Sequence, residues 1–142
     1  MEISDVLILE DNPDTANFLS RFMMDHGFMT SVKCDRDTDS LLALKEHNFD
    51  LIFLDYNMPG MKVEDALSMF AKLWPSARVA LLTATHNAHA IANRLGITMV
   101  IEKPFDPDHI LARFQLFAVG RAPTSYPLMK RQKDDRAQRD GA

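Results

Sequence analysis

Five short apolar runs, each followed by a stretch with helical spacing, restrict the fold of this chain more than any other feature. The strand candidates are Val6–Leu9, Met29–Lys33, Leu51–Leu54, Val79–Leu82 and Met99–Ile101. Four of them are apolar enough to be buried on both faces, as strands of a parallel sheet are, whereas Met29-Thr30-Ser31-Val32-Lys33 is polar enough to suit an edge. Between them the spacing predicts helices. The first starts at Asn12-Pro13, a capping residue followed by proline, turns Phe18, Phe22 and Met23 inward, and stops at Gly27. The second runs from about Asp37 to His47 with Leu41, Leu42 and Leu44 as its stripe. The third carries Val63, Leu67, Phe70 and Trp74 before Pro75 ends it. The fourth, near Asn87–Leu95, is weakly patterned. The fifth has Asp106 as cap, then Pro107, a face of Ile110, Leu111, Phe114 and Phe117, and Gly120 as its stop.

Parallel strands need crossovers, and crossovers are right-handed, so this alternation predicts an open, doubly wound α/β fold. The expected five-stranded parallel sheet has the order 2-1-3-4-5, with ligand chemistry at the carboxyl ends of the strands where that order reverses. Residues 1–120 make the expected domain. Residues 121–142, opening on Ala122-Pro123-Thr124-Ser125-Tyr126-Pro127 and continuing without an apolar face, read as a flexible mixed-charge tail or the start of a linker.

With 142 residues the chain fits one domain, and 46% hydrophobic content supports a core. No apolar run reaches the length of a membrane helix, and the start lacks the basic-then-apolar pattern of a signal peptide, so a cytoplasmic location without membrane contact is expected. Cys34, the single cysteine, agrees with a reducing compartment and is read as a small buried residue. Residues 1–120 hold 10 Lys/Arg against 17 Asp/Glu, a net −7, while 121–142 hold 6 against 3, a net +3. The acidic body argues against direct nucleic-acid binding and is compatible with a cation site.

Carboxylates directly after buried strands sit at the rim of the crevice. The first strand delivers Glu10 and Asp11, the third Asp55, the fourth Thr83, and the fifth leads into Lys103-Pro104-Phe105. Asn12 serves as a helix cap. Three converging carboxylates repel one another, so a proton or a divalent cation is expected among them, and Mg²⁺ suits few carboxylates completed by water or a phosphate oxygen. Asp55, held by the turn-forming Tyr56-Asn57-Met58-Pro59-Gly60, can attack phosphorus, and Lys103 and Thr83 can stabilise the phosphoryl oxygens.

These residues resemble the receiver domain of two-component response regulators, a flavodoxin-like fold, over about residues 4–120. The resemblance rests on the acidic pair Glu10-Asp11, on Asp55 in Asp-Tyr-Asn-Met-Pro-Gly, on Thr83 in Leu-Leu-Thr-Ala and on Lys103-Pro104-Phe105. It implies that Asp55 accepts a phosphoryl group from a phosphohistidine of a sensor histidine kinase or a histidine phosphotransfer protein. It further implies Mg²⁺ held by Asp11, Asp55 and the backbone carbonyl of Asn57, with Glu10 acting mainly through water. Such a protein is a switch that catalyses only its own phosphorylation and dephosphorylation, with Asn57 and Thr85 tuning the latter, and it signals by protein contacts. A homodimer through the face of helix 4, strand 5 and helix 5 fits the same resemblance. One departure stands out: Val100 occupies the switch position, three residues before the lysine, where receivers usually carry Tyr or Phe, so coupling to that face is expected to be altered.

Other readings are weaker. A flavin module needs a first loop that welcomes phosphate, and Glu10-Asp11-Asn12-Pro13 repels it. An aspartyl phosphatase wants a second carboxylate where Asn57 stands. A receiver-fold scaffold with weak switching, or a receiver fragment of a longer regulator, is the alternative that Val100 keeps open. His86 and His89 have a metal-compatible spacing but no third ligand nearby; His26, His47 and His109 read as solvent-facing helix residues, and the methionines and phenylalanines as mostly core.

Overall fold

The computed structural model describes residues 5–104 and residue 110. In chain order the elements are β1 (Asp5–Leu9), α1 (Pro13–Asp25), β2 (Met29–Lys33), α2 (Thr38–Leu42), β3 (Leu51–Asp55), α3 (Val63–Leu73), β4 (Arg78–Thr83), α4 (Ala88–Leu95) and β5 (Met99–Glu102). The strands form one sheet in the order β2-β1-β3-β4-β5, every neighbouring pair parallel, as the alternation of runs and helices predicts. Each predicted strand is present, and β1, β3, β4 and β5 extend one residue or so into the polar flanks. Residues 5–103 fall in one compact unit. The expected fifth helix, His109 and the tail over residues 121–142 lie outside the described residues, apart from Ile110, which is helical and buried.

β1, β3 and the inner part of β4 are buried on both faces, whereas β2 is partly exposed along its length, as its polar sequence requires of an edge. The step from β1 to β2 runs opposite to the steps through β3, β4 and β5. Right-handed crossovers therefore place α1 on one face and α2, α3 and α4 on the other. On the latter face Leu7, Leu9, Ile52 and Leu54 pack with Leu41, Val63, Ala66, Phe70 and Trp74. Further along, Leu81 and Val100, aligned in the β4–β5 register, pack under Ala88, Ile91 and Ala92 of α4. Trp74 is 2% exposed, with its ring edge-on to Phe49 at 5.0 Å, and truncating an aromatic in such a site costs roughly 3–5 kcal/mol.

The helix ends follow local chemistry. Asn12 Oδ1 accepts the Thr15 N–H at 3.0 Å, Pro13 opens α1, and Gly27, at φ 92°, reverses the chain after it. Gly96, at φ 76°, ends α4, which forms despite its weak pattern.

Several expectations are corrected. The buried face of α1 is Ala16, Leu19 and Met23; Phe18 is 40% exposed and Phe22 half-buried, with the two rings stacked 6.0 Å apart on the outer side. Both phenylalanines satisfy helical spacing, yet the neighbouring strands select the stripe centred on Leu19. α2 ends at Leu42 and gives way to turns over residues 43–46; Leu41 is buried, Leu44 half-buried and Leu42 exposed. His47 accordingly stands in a loop, stacked 5.0 Å from Phe49. Leu67 is half-buried, Ala66 taking the inner position. Cys34 is exposed rather than buried, as it follows directly on the partly exposed edge strand β2. Met24 and Met29 are also exposed, so the methionines are less uniformly internal than their spacing suggests. No helix among the described residues is long and apolar enough to cross a membrane.

Candidate functional site

A parallel sheet brings all strand carboxyl ends to one edge, and the register decides which side chains meet there. Leu9 lies beside Leu54, Asp55 beside Leu82, and Thr83 beside Glu102. The residues following these positions form the floor of the site. Tyr56 N–H donates to Leu82 O at 2.9 Å and Lys103 N–H to Thr83 O at 2.9 Å, carrying the ladder one step past the strands.

Glu10, Asp11 and Asp55 each offer a carboxylate oxygen, and these oxygens lie within 4.8 Å of one another. Glu10 and Asp55 are buried, at 1% and 3% exposure, while Asp11 is exposed to solvent. The Lys103 ammonium lies 2.7 Å from Glu10 Oε1 and 3.4 Å from Asp55 Oδ1. Glu10 Oε2 accepts the Asn12 N–H at 3.1 Å, so Glu10 is engaged on both oxygens and anchors the lysine. Burial, then the adjoining Glu10 carboxyl, pushes Asp55 up to about 7, against the opposing pull of Lys103 and the Asn57 N–H. Burial also pulls the Lys103 ammonium down, but Glu10 and Asp55 outweigh it and leave its value raised.

One ammonium among three carboxylates leaves an excess of negative charge in a half-sealed crevice, and the donor set is hard oxygen throughout. That combination fits a small divalent cation such as Mg²⁺, with Asp11 giving it access from solvent. It is the only cluster of three or more such ligands among the described residues. His86 and His89 remain outside it: His86 is exposed, and His89 Nε2 lies 3.9 Å from Glu102 Oε2 in an exposed pair.

Thr83 is 1% exposed, and its hydroxyl pairs with that of half-buried Thr85, whose backbone N–H also donates to Thr83 Oγ1 at 3.1 Å. Asn57 contributes through its backbone: its N–H donates to Asp55 Oδ1 at 3.3 Å, while its side chain is exposed. Val100 is 4% exposed and packs among Leu81, Ala88, Ile91, Ala92 and Ile97, an aliphatic cluster against which half-buried Tyr56 also rests.

The sequence reading missed Arg36. It is 5% exposed and donates from Nε to Met61 O at 2.8 Å, from Nη1 to Asp55 O at 2.8 Å and from Nη2 to Tyr56 O at 3.3 Å. Burial lowers its guanidinium from the ordinary value, with Asp55 foremost among the groups that oppose this. An arginine between Asp35 and Asp37 after an edge strand carries no local mark of burial. Only the approach of a second loop, which no periodicity reports, reveals it.

Comparison with known proteins bears on this geometry. A family model of the response regulator receiver domain matches residues 6–115. The nitrogen assimilation regulatory protein NtrX of Azorhizobium caulinodans is 29% identical over 112 residues, which cover 75% of this chain and 24% of that protein. The DNA-binding response regulator MtrA of Mycolicibacterium smegmatis is 29% identical over 110 residues, 76% of this chain and 47% of that one. The chain thus spans half or less of these relatives. A response regulator from Burkholderia pseudomallei, solved with a phosphorylated aspartic acid, a calcium ion and citrate, is 25% identical, with a TM-score of 0.66 over 82% of this chain and 69% of that chain.

Proposed function

The chain belongs to the response regulator receiver family, and from that premise we propose that Asp55 accepts a phosphoryl group from a phosphohistidine of a sensor kinase or histidine phosphotransfer protein. The observation that carries the reading is the meeting of Glu10, Asp11 and Asp55 oxygens within 4.8 Å, with Lys103 Nζ 3.4 Å from the acceptor. An Asp55 oxygen attacks phosphorus, the bond from phosphorus to the histidine nitrogen breaks, and the imidazole leaves with its electron pair. The product is an acyl phosphate, which water later cleaves to phosphate and the original carboxylate.

Mg²⁺, when held by Asp11, Asp55 and the Asn57 carbonyl, with Glu10 acting through water, neutralises charge on the phosphoryl oxygens. Lys103, positioned by Glu10, offers a compact charge to the same oxygens, and Thr83 offers a hydroxyl once it is released from Thr85. Asn57 and Thr85 stand where substitution changes water access and hence the lifetime of the acyl phosphate. The protein is a switch whose only catalysis is on itself, and it passes its signal through protein contacts. With Val100 in an aliphatic cluster, coupling to the α4–β5 side is weaker than an aromatic residue there supplies. That same residue favours a second reading, a receiver-fold scaffold with little phosphorylation-dependent change.

Intact mass after treatment with acetyl phosphate, with and without Mg²⁺, tests the proposal. One phosphoryl group is expected, dependent on the metal and abolished by Asp55→Asn. An unchanged mass refutes it, and a labelled protein whose α4 and β5 amide resonances stay unmoved turns it toward the scaffold.

A further inference from the structure

Arg36 lies outside the acidic cluster, touches no carboxylate oxygen in its hydrogen bonds, and yet spends a buried guanidinium on the loop that follows the acceptor. Burying an arginine is costly unless its donors are matched, and here Nε, Nη1 and Nη2 all find carbonyls on one short segment. The two loops meet backbone to backbone. Arg36 N–H donates to Pro59 O at 3.0 Å, Met61 N–H returns to Arg36 O at 3.4 Å, and Gly60, at φ 120°, leaves room where a Cβ would lie 2.7 Å from the Arg36 carbonyl carbon.

The consequence follows from peptide planarity. In a trans peptide the carbonyl and the next N–H point to opposite sides of the chain. The peptide joining Asp55 to Tyr56 has its carbonyl on Arg36 Nη1 and its N–H on Leu82 O. The next peptide has the Tyr56 carbonyl on Arg36 Nη2 and the Asn57 N–H on Asp55 Oδ1. Both planes are therefore pinned along both edges, and the second pin ends on the acceptor carboxylate itself.

We infer that Arg36 is a positioning residue for phosphoryl transfer: its guanidinium fork sets the two peptide planes after Asp55, aims the Asn57 N–H at the acceptor carboxylate, and so holds that carboxylate in its reactive orientation. This rests on Asp55 being the phosphoryl acceptor. Charge alone does not reproduce the effect, because one ammonium cannot span carbonyls that require a planar fork. Apolar bulk does not reproduce it either.

The test compares wild type with Arg36→Met and Arg36→Lys by amide hydrogen exchange, by urea unfolding and by the rate of phosphorylation with acetyl phosphate and Mg²⁺. In Arg36→Met, the Asn57 amide should exchange about tenfold faster relative to the β4 amides of Ala80 and Leu81, with phosphorylation slowed by about the same factor while unfolding stays cooperative. Arg36→Lys should show the same pattern to a lesser degree, and it carries the comparison should the methionine variant not fold. Wild-type protection at Asn57 with wild-type phosphorylation in either folded variant overturns the inference. Full recovery by lysine also overturns it, assigning Arg36 a role of charge only, and uniformly faster exchange that includes β4 assigns it a merely structural one. If wild type itself takes no phosphoryl group, the proposed function fails, and the Asn57 exchange still decides whether Arg36 orients the loop.

Discussion

Asp55→Asn is expected to stabilise the metal-free protein at about pH 8 and to leave it nearly unchanged at about pH 4.5. Asp55 is 3% exposed and is pushed from the ordinary 3.8 up to about 7, by burial first and the Glu10 carboxyl next. A carboxyl raised in the folded state binds more protons folded than unfolded between those two values. Stability therefore falls as pH rises through that window, by about 1.4 kcal/mol per pH unit for one proton. Across the window the loss reaches at most ~4 kcal/mol, even with Lys103, 3.4 Å from Asp55 Oδ1, pulling the carboxyl down. Asparagine removes both the charge and the titration. Urea unfolding of the two proteins in EDTA, from about pH 4.5 to about pH 8, reads the effect directly, because the two differ only at residue 55. The wild type should lose ~2–4 kcal/mol relative to the variant over that range, and millimolar Mg²⁺ should return most of it by binding only the folded state. A difference between the proteins that stays level with pH refutes the crowded-anion account of the site.

Gly60→Ala places a Cβ 2.7 Å from the Arg36 carbonyl carbon at φ 120°, and should cost ~1–3 kcal/mol in urea unfolding; an unchanged midpoint shows that the two loops part easily. Val100→Tyr forces a ring among Leu81, Ala88, Ile91 and Ala92 and should destabilise by ~1–3 kcal/mol, whereas equal or greater stability would reveal space kept for an aromatic switch. On α1, Leu19→Ala should cost ~2–5 kcal/mol and Phe18→Ala clearly less, since Leu19 is 0% and Phe18 40% exposed; the reverse ranking in thermal unfolding overturns the assignment of the buried face.

That Glu10, Asp11, Asp55, Thr83 and Lys103 meet at one edge was legible in the sequence, because each lies at or just after the end of a strand and parallel strands must end at one edge. Asn12, Pro13 and Gly27 marked α1 for the same local reason: capping and left-handed geometry depend on neighbours in sequence. The length of α2 was not legible. Leu42 and Leu44 continue a helical stripe, yet the chain leaves the helix at Leu42 and turns toward Phe49, which is buried against Trp74.

The hydrophobic period, with its glycine and proline punctuation, by itself determined five strands alternating with helices, and hence a parallel sheet with Glu10, Asp11, Asp55 and Lys103 at or just after strand ends, since those signals act over a few residues; the order 2-1-3-4-5 came from the doubly wound fold class that this alternation implies. Tertiary structure alone decided that Leu19 rather than Phe18 faces inward, that Glu10 is the partner of Lys103, and that Arg36 is buried against the carbonyls of Asp55, Tyr56 and Met61. Those outcomes depend on which distant segments approach within hydrogen-bonding or packing distance, and such proximity is a property of the assembled chain that no short window of residues contains.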